Sequence, residues 1–175
     1  MAGATEINAD MGRRFRDAMR TVASTVTVVT ACDGRYSHGM TATSVTSVSM
    51  EPPSLVVCLN NNTLLREVFL TARTFCVNLL RCGQSDISAA FAGGLPSHER
   101  FNVGAWAKIE DGTRFLTDAQ ANLFCRKVAA IPYGTHTIFI GEVQSVNLRS
   151  SIEPLIYQNS TYCHSIPEPK ALRTS

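Results

Sequence analysis

The stretch "GMTATSVTSVSMEPPSLVVCLNNNT", Gly39 to Thr63, limits the fold more than any other part of the chain. Between Gly39 and Met50 six of twelve residues carry hydroxyls (Thr41, Thr43, Ser44, Thr46, Ser47 and Ser49), and no formal charge occurs until Glu51. The interleaved Thr and Val are stiff at χ1 and suit a pleated surface, so the stretch is an extended ribbon rather than a flexible serine linker. Pro52-Pro53 stops it, because proline cannot donate to a sheet ladder, and "LVVCLN" then reads as a buried strand. This stretch of the chain is committed to a sheet.

The remainder follows the same pattern. "GRRFRDAMRTVA", residues 12–23, puts Phe15, Met19 and Val22 on one helical face. "STVTVVTA" is β-branched, "CDGR" supplies a turn, and "YSHGMTATS" completes a hairpin with Asp33-Gly34 at its tip. "TLLREVFLTAR" returns to helical spacing with Thr63 as N-cap, and "TFCVNLL" is again a strand. "SDISAAFAGG" reads as a short helix opened by Ser85 and closed by glycines, followed by the polar loop "LPSHERFNVG". "AWAKIED", "ANLFCRKVAAI", "HTIFIGEVQSVNL" and "EPLIYQNSTYC" are strand-like, with turns at Asp111-Gly112 and Pro132 to Gly134. Many short strands with about three helices predict a mainly β, antiparallel barrel or sandwich with peripheral helices.

A chain of 175 residues is expected to form one domain, 1–175, with a core from about residue 15 to 164 and flexible arms at both ends. The tail "SIPEPKALRTS" reads as a mobile end or an arm reaching a partner. A charged share of only 17% hints that part of the surface is covered by a second subunit or a ligand. A net charge of +2 argues for neither nucleic acid nor a polybasic membrane anchor, and no apolar run is long enough to span a bilayer. The N-terminus lacks the apolar core of a signal peptide, which predicts a cytoplasmic protein.

No G-x-G-x-x-G or Walker loop is present. The six cysteines show no zinc-like spacing, and the histidines at 38, 98, 136 and 164 show no metal-ligand pairing, so no metal site is expected. A Cys–His nucleophile assembled from distant positions has little support, since no cysteine stands at a helix N-terminus or beside obvious positive charge. His136 opens the strand "HTIFIGEV" after a turn, where a polar ring is more often a satisfied structural group than a functional one. The hydroxyl ribbon reads equally as a wet edge strand or as a cradle of neutral donors and acceptors for a flat heterocycle. Gly39 would allow close backbone approach, and Asn60 to Thr63, leading into a helix, would offer donors to a phosphate.

The order "FRDAMRTVASTVTVVTA", "GMTATSVTSVSMEPPSLVVCLN", "FCVNLL", "RF", "HTIFIGEV" and "PLIYQNSTY" resembles the flavin reductase family of two-component monooxygenases, from about Phe15 to Tyr162. The resemblance implies a split β-barrel homodimer that takes hydride from NADH or NADPH to reduce FAD or FMN. Reduced flavin then passes to a separate oxygenase that hydroxylates an aromatic or phenolic substrate. It favours FAD, with FMN the alternative; the lack of an arginine cluster for a 2′-phosphate favours NADH over NADPH. It further implies that Thr41, Ala42, Thr43, Ser44, Ser47, Val48 and Ser49 line the isoalloxazine and ribityl chain. Asn60, Asn61, Asn62 and Thr63 would hold the phosphate, Arg100 and Phe101 contact the flavin, and His136 stand at the nicotinamide as the one catalytic candidate, with Tyr162 near the same cleft.

Two departures stand out. Where the family commonly has Arg/Lys-Ser-Ser this chain has Asn61-Asn62-Thr63, so Arg66 or Arg100 would have to supply the missing charge. The residue before the histidine, usually acidic, is Thr135. Competing readings are a non-catalytic flavin- or haem-binding split barrel, a structural dimeric β-protein, and, more distantly, a thiol hydrolase based on Cys163 or Cys125.

Overall fold

A computed structural model describes residues 2–168 of the chain. Most of the tail read as an arm, residues 169–175, lies outside the described residues. In chain order the first half holds α1 (Ala2–Arg20), β1 (Ser24–Thr25), β2 (Thr27–Cys32), β3 (Ser37–Ala42), β4 (Val45–Met50), β5 (Pro53–Asn60), α2 (Leu64–Thr71) and β6 (Thr74–Leu79). The second half holds α3 (Ser85–Ala89), β7 (Trp106–Lys108), β8 (Arg114–Leu116), β9 (Ala121–Tyr133), β10 (His136–Leu148), β11 (Ile156–Gln158) and β12 (Thr161–Cys163).

Seven strands form one antiparallel sheet in the order β3-β2-β6-β9-β10-β5-β4. Its two edges are consecutive in sequence. Ala42 ends β3 and Val45 begins β4, and three chain steps reach roughly 10 Å at most, so the sheet must roll until its edges meet. The two edge strands do not pair, so the rolled sheet is a barrel split between β3 and β4. The antiparallel, mainly β expectation holds.

β2 shows why the barrel has two cores. Its alternation sends Val29 and Ala31 to one face and Val28 to the other, and all three are fully buried. The inner face joins Val57, Leu59, Val77 and Phe139, and α2 closes this core with Leu65, Val68 and Phe69. Three phenylalanines fill its centre: the Phe69 ring lies 4.9 Å from Phe75 and 5.1 Å from Phe139. Gly141 makes room for them, since a Cβ there would stand 2.3 Å from the Phe75 ring. The outer face of β2 is covered by Leu80, Ile87, Phe91, Leu116 and Leu155. A buried amide ties this layer down: Asn78 donates to Val28 O at 2.8 Å and accepts from Leu116 N and Asn122 Nδ2, each at 2.9 Å.

Several boundaries differ from expectation. α1 begins at Ala2 rather than at residue 12 and ends at Arg20, where the Thr21 hydroxyl turns back onto Ala18 O at 2.7 Å. Its apolar stripe is uncovered in the single chain: Phe15 is 65% and Met19 51% exposed. The short helix is preceded by Gln84 rather than capped by Ser85, continues as a π turn over Ala90–Gly94, and closes at Gly93 with φ 110°. β9 runs through Pro132 to Tyr133, so the hairpin turns on Gly134-Thr135; by then β9 has left β6, and proline interrupts no second ladder. "EPLIYQNSTYC" is a hairpin, β11–β12, turning at Asn159 and Ser160 with φ 48° and 62°. β8 was not legible as a strand.

Candidate functional site: a groove along the free edge of β3

β3 borders a groove whose opposite wall is the segment from α3 to the 3-10 turn at Arg100–Asn102. One end, of about 340 Å³, is bounded by Met40, Thr41, Ala42 and Thr43 on one side and Ser88 and Ala92 on the other, with Tyr157 and Tyr162 across it. Hydrogen bonds fix these groups: Thr41 Oγ1 donates to Ser88 O at 2.7 Å and Tyr162 Oη to Ser88 Oγ at 2.9 Å. The Tyr157 and Tyr162 rings meet edge to face at 5.4 Å. The β11–β12 hairpin was needed to bring both tyrosines here.

Through Met40 and Ala92 this end opens into a second space of about 430 Å³, reaching Gly39, Thr63, Leu64, Leu65 and Arg100. Here α2 begins. Thr63 Oγ1 accepts from Arg66 N at 3.3 Å, while the first-turn amides of Leu64 and Leu65 have no intrahelical acceptor. Arg100 donates through Nε to Leu95 O at 3.0 Å and through Nη1 to Gly39 O at 3.1 Å, which pins a cation beside that helix end. Arg66 is directed to Glu67 at 2.8 Å and does not border the space. Of the two arginines considered as substitutes for the missing charge, the structure therefore brings Arg100 to the helix end. Gly39 has a different role from the one its position suggested: a Cβ there would stand 2.6 Å from the Phe91 ring, so its close approach is to the wall of the groove.

Other expected site residues lie elsewhere. Ser44 Oγ donates to Cys58 O at 2.9 Å, continuing the β4–β5 ladder. Ser47, Val48 and Ser49 sit on β4, where the register shifts between Ser47 and Ser49; Ser47 and Val48 are exposed, and Ser49 Oγ donates to Glu51 O. None borders the groove. Asn60 Oδ1 accepts from Asn62 N at 2.9 Å, and Asn61 Oδ1 from Thr137 Oγ1 at 2.7 Å, so both amides shape the turn before α2. Phe101 packs among aromatics, 5.1 Å from both Phe91 and Trp106, under the Arg114 guanidinium at 4.8 Å. His136 is exposed outside the groove, paired in register with Asn60, its Nδ1 2.9 Å from Thr135 Oγ1. The threonine that replaces an acidic residue thus contacts the ring directly.

The thiol reading loses Cys125, which is buried and whose thiol is pushed up to about 12. One Cys–His contact does form, Cys82 Sγ to His164 Nδ1 at 3.1 Å, but neither residue borders the groove. The groove itself suits a flat ring with polar edges joined to a phosphate. Neutral hydroxyls and aromatic faces occupy one end; a helix N-terminus and a fixed guanidinium occupy the other.

That arrangement, on a split antiparallel barrel, defines a flavin-binding class of protein. Residues 19–165 match the family model described as "Flavin reductase like domain", and the chain belongs to that family. It is 49% identical over 159 residues to the reductase component of an FADH(2)-dependent resorcinol hydroxylase from Rhizobium sp. (strain MTP-10005), covering 90% of this chain and 89% of that one. It is 37% identical to an FMN reductase (NADH), RutF 2, of Rhizobium rhizogenes, with 88% of each chain covered. Among solved structures, the NADH:FAD oxidoreductase SgcE6 of Streptomyces globisporus superposes with a TM-score of 0.82 at 29% identity, covering 91% of this chain and 90% of that one. Flavin reductase PheA2 superposes at 0.80 with 30% identity, over 89% and 98%.

Proposed function

We propose that this chain uses NADH to reduce free FAD, with FMN as the alternative flavin, and supplies reduced flavin to a separate monooxygenase acting on an aromatic or phenolic compound. The observation that carries this reading is the groove, which offers a hydroxyl- and tyrosine-lined end and a cationic helix end in one continuous space. When bound, flavin and nicotinamide supply the hydride chemistry themselves. Thr41, Thr43 and Tyr162 hold the ring by its polar edges and stack against it. Arg100 and the first turn of α2 take the phosphate. Alignment of this kind can contribute about 7–11 kcal/mol of a barrier in favourable cases without an acid or base. His136 then acts as a contact that orients nicotinamide rather than as an obligatory proton donor. The groove is open along its length, as a flavin that must leave requires.

A second copy of the chain is part of the proposal. Met11, Phe15 and Met19 form an apolar stripe along one side of α1, which Val22 continues just beyond the helix, each about half exposed or more. Residues Met19 and Val22 also border a hollow with Thr43 and Tyr157, so a subunit seated there would close the tyrosine end of the groove. Phe15→Asp with Met19→Asp should yield a monomer by sedimentation. A cytoplasmic location belongs to the same reading, because it places the enzyme with NADH; among the described residues no helix is long and apolar enough to cross a membrane.

The test is NADH oxidation with purified protein and no flavin, FAD, FMN or riboflavin. Rapid oxidation that requires added flavin is expected. Flavin binding without oxidation would leave a non-catalytic flavoprotein, and absence of both would reduce the hydroxyl ribbon to a wet edge.

A further inference from the structure

The hairpin that brings Tyr157 and Tyr162 to the groove is held to the body of the molecule from two directions. On the β11 side the hold is backbone: Leu155 N donates to Leu80 O at 2.9 Å, Arg81 bridges Pro154, and Cys82 N donates to Glu153 O at 2.7 Å. On the β12 side it is made by side chains. Tyr162 Oη reaches Ser88 Oγ, and His164, just past the end of β12, meets the same Cys82, its Nδ1 3.1 Å from Sγ. The Cys82 backbone is fixed at both polar groups, since its carbonyl also accepts from Arg81 Nη1 at 3.3 Å. Sulfur and ring are therefore set against each other by the fold.

The six cysteines differ in what they face. Cys76 and Cys125 are buried, and burial pushes both thiols up, to about 12 at Cys125. Cys163 Sγ faces a carbonyl, Thr161 O, at 3.8 Å. Among the described residues only Cys82 has a histidine nitrogen within hydrogen-bond reach. Cys82 is half-buried and His164 exposed, so small solutes reach the pair. With the thiol donating, Nδ1 accepts, which is the relation of a nucleophile to its base: the ring can take the proton as the sulfur attacks. Such a pair is open to a small electrophile that needs no pocket, and hydrogen peroxide is one. Reduced flavin makes it on meeting dioxygen before an oxygenase: the hydride and proton gained by the flavin pass to O2, leaving oxidised flavin and hydrogen peroxide.

We infer that Cys82 is a peroxide-sensitive thiol, with His164 as its base, whose oxidation loosens the tyrosine end of the groove. The sulfur attacks one peroxide oxygen, an S–O bond forms and the O–O bond breaks. The thiol proton passes through His164 to the leaving hydroxide, so thiol and hydrogen peroxide give sulfenic acid and water. The sulfur is oxidised and the peroxide reduced by the same electron pair. The product has no S–H to face Nδ1, and its oxygen needs room beside a ring 3.1 Å away. His164 and the end of β12 shift, and Tyr162 with them. Reduced flavin lost to dioxygen thereby restrains its own supply. The inference goes beyond flavin reduction and rests on that reading only for the source of peroxide.

The experiment treats wild type, Cys82→Ser and His164→Ala with hydrogen peroxide in the absence of NADH, traps sulfenic acid with dimedone and maps the adduct by peptide mass spectrometry. Flavin affinity is read by flavin fluorescence before and after peroxide. Wild type should label at Cys82 ahead of the other cysteines and lose about threefold to tenfold in flavin affinity. His164→Ala should label at Cys82 about tenfold or more slowly. Cys82→Ser keeps a hydroxyl toward the ring, so it should bind flavin as untreated wild type does and hold that affinity after peroxide. Label spread evenly over Cys32, Cys58, Cys82 and Cys163, or an unchanged rate in His164→Ala, overturns the inference. So does equal loss of flavin affinity in wild type and Cys82→Ser, and so does label at Cys82 that leaves flavin affinity unaltered. Failure of the reductase reading appears separately, as wild type that oxidises no NADH with any flavin; added peroxide tests the thiol in either case.

Discussion

The hydroxyl ribbon folds into two edge strands with opposite fates. β3 and β4 carry the same kinds of residue, are separated by two residues, and each leave one side without a strand partner. Beside β3 the α3-to-Arg100 segment and the β11–β12 tyrosines build a wall, and Thr41 is fixed to Ser88 O. Beside β4 no element among the described residues does so, and Thr46, Ser47 and Val48 are exposed. A hydroxyl-rich strand is therefore a site only where another part of the chain arrives to oppose it.

Closing the space between β3 and its wall should have the largest effect. Gly39→Val places carbon against Phe91 and should cost about 1–3 kcal/mol in chemical denaturation, with loss of flavin binding. Removing the cation comes next. Arg100→Ala should lower kcat/KM for FAD and FMN by about tenfold to a hundredfold and for riboflavin much less, because riboflavin presents no phosphate. Equal losses for all three would mean that Arg100 only braces the Leu95 and Gly39 carbonyls.

Two smaller changes sharpen the contrast. Tyr162→Phe deletes the bond to Ser88 Oγ and should cost about 1 kcal/mol of stability, with a modest rise in the flavin KM. Thr46→Ala, on β4, should change stability by no more than about 0.5 kcal/mol and leave the flavin KM unaltered. A large effect there would mean that β4 is covered in the assembled protein. The smallest effect concerns the turn that leads into β3. The Tyr36 and Arg35 amides donate to Asp33 at 2.7 and 2.8 Å, which holds its carboxyl below the ordinary aspartate range. Its contribution is present above that range and is lost as pH falls through the lowered value. Asp33→Asn should therefore flatten a small part of the acid-side decline in stability, read by denaturation across pH.

Much of the fold was legible. Strand-by-strand β-branching, the Pro52-Pro53 break, the Asp33-Gly34 hairpin and the Thr63 cap are local signals, and each is where the sequence put it. The misreadings are long-range. Asn78 on β6 holds Leu116 and Asn122, 38 and 44 residues further on, in a buried bracket, so β8 gave no local sign of being held there. The Asn159-Ser160 turn carries no glycine, and its hairpin was read as one strand. In the candidate site, Thr41, Ala42, Thr43, Thr63, Arg100 and Tyr162 border the groove; Ser47, Val48, Ser49 and His136 do not. Ser88 and Tyr157 were missed because a serine in a helix and a tyrosine in a strand have no distinguishing neighbours in sequence.

The sequence by itself determined the antiparallel sheet, the helix that closes its core and the family to which the chain belongs, because strand pattern, capping and motif order are properties of neighbouring residues. Only the tertiary structure decided which half of the ribbon meets an opposing wall and which arginine stands at the α2 N-terminus. Those are distances between segments far apart in the chain, fixed by how the sheet rolls and what packs on the outer face of β2.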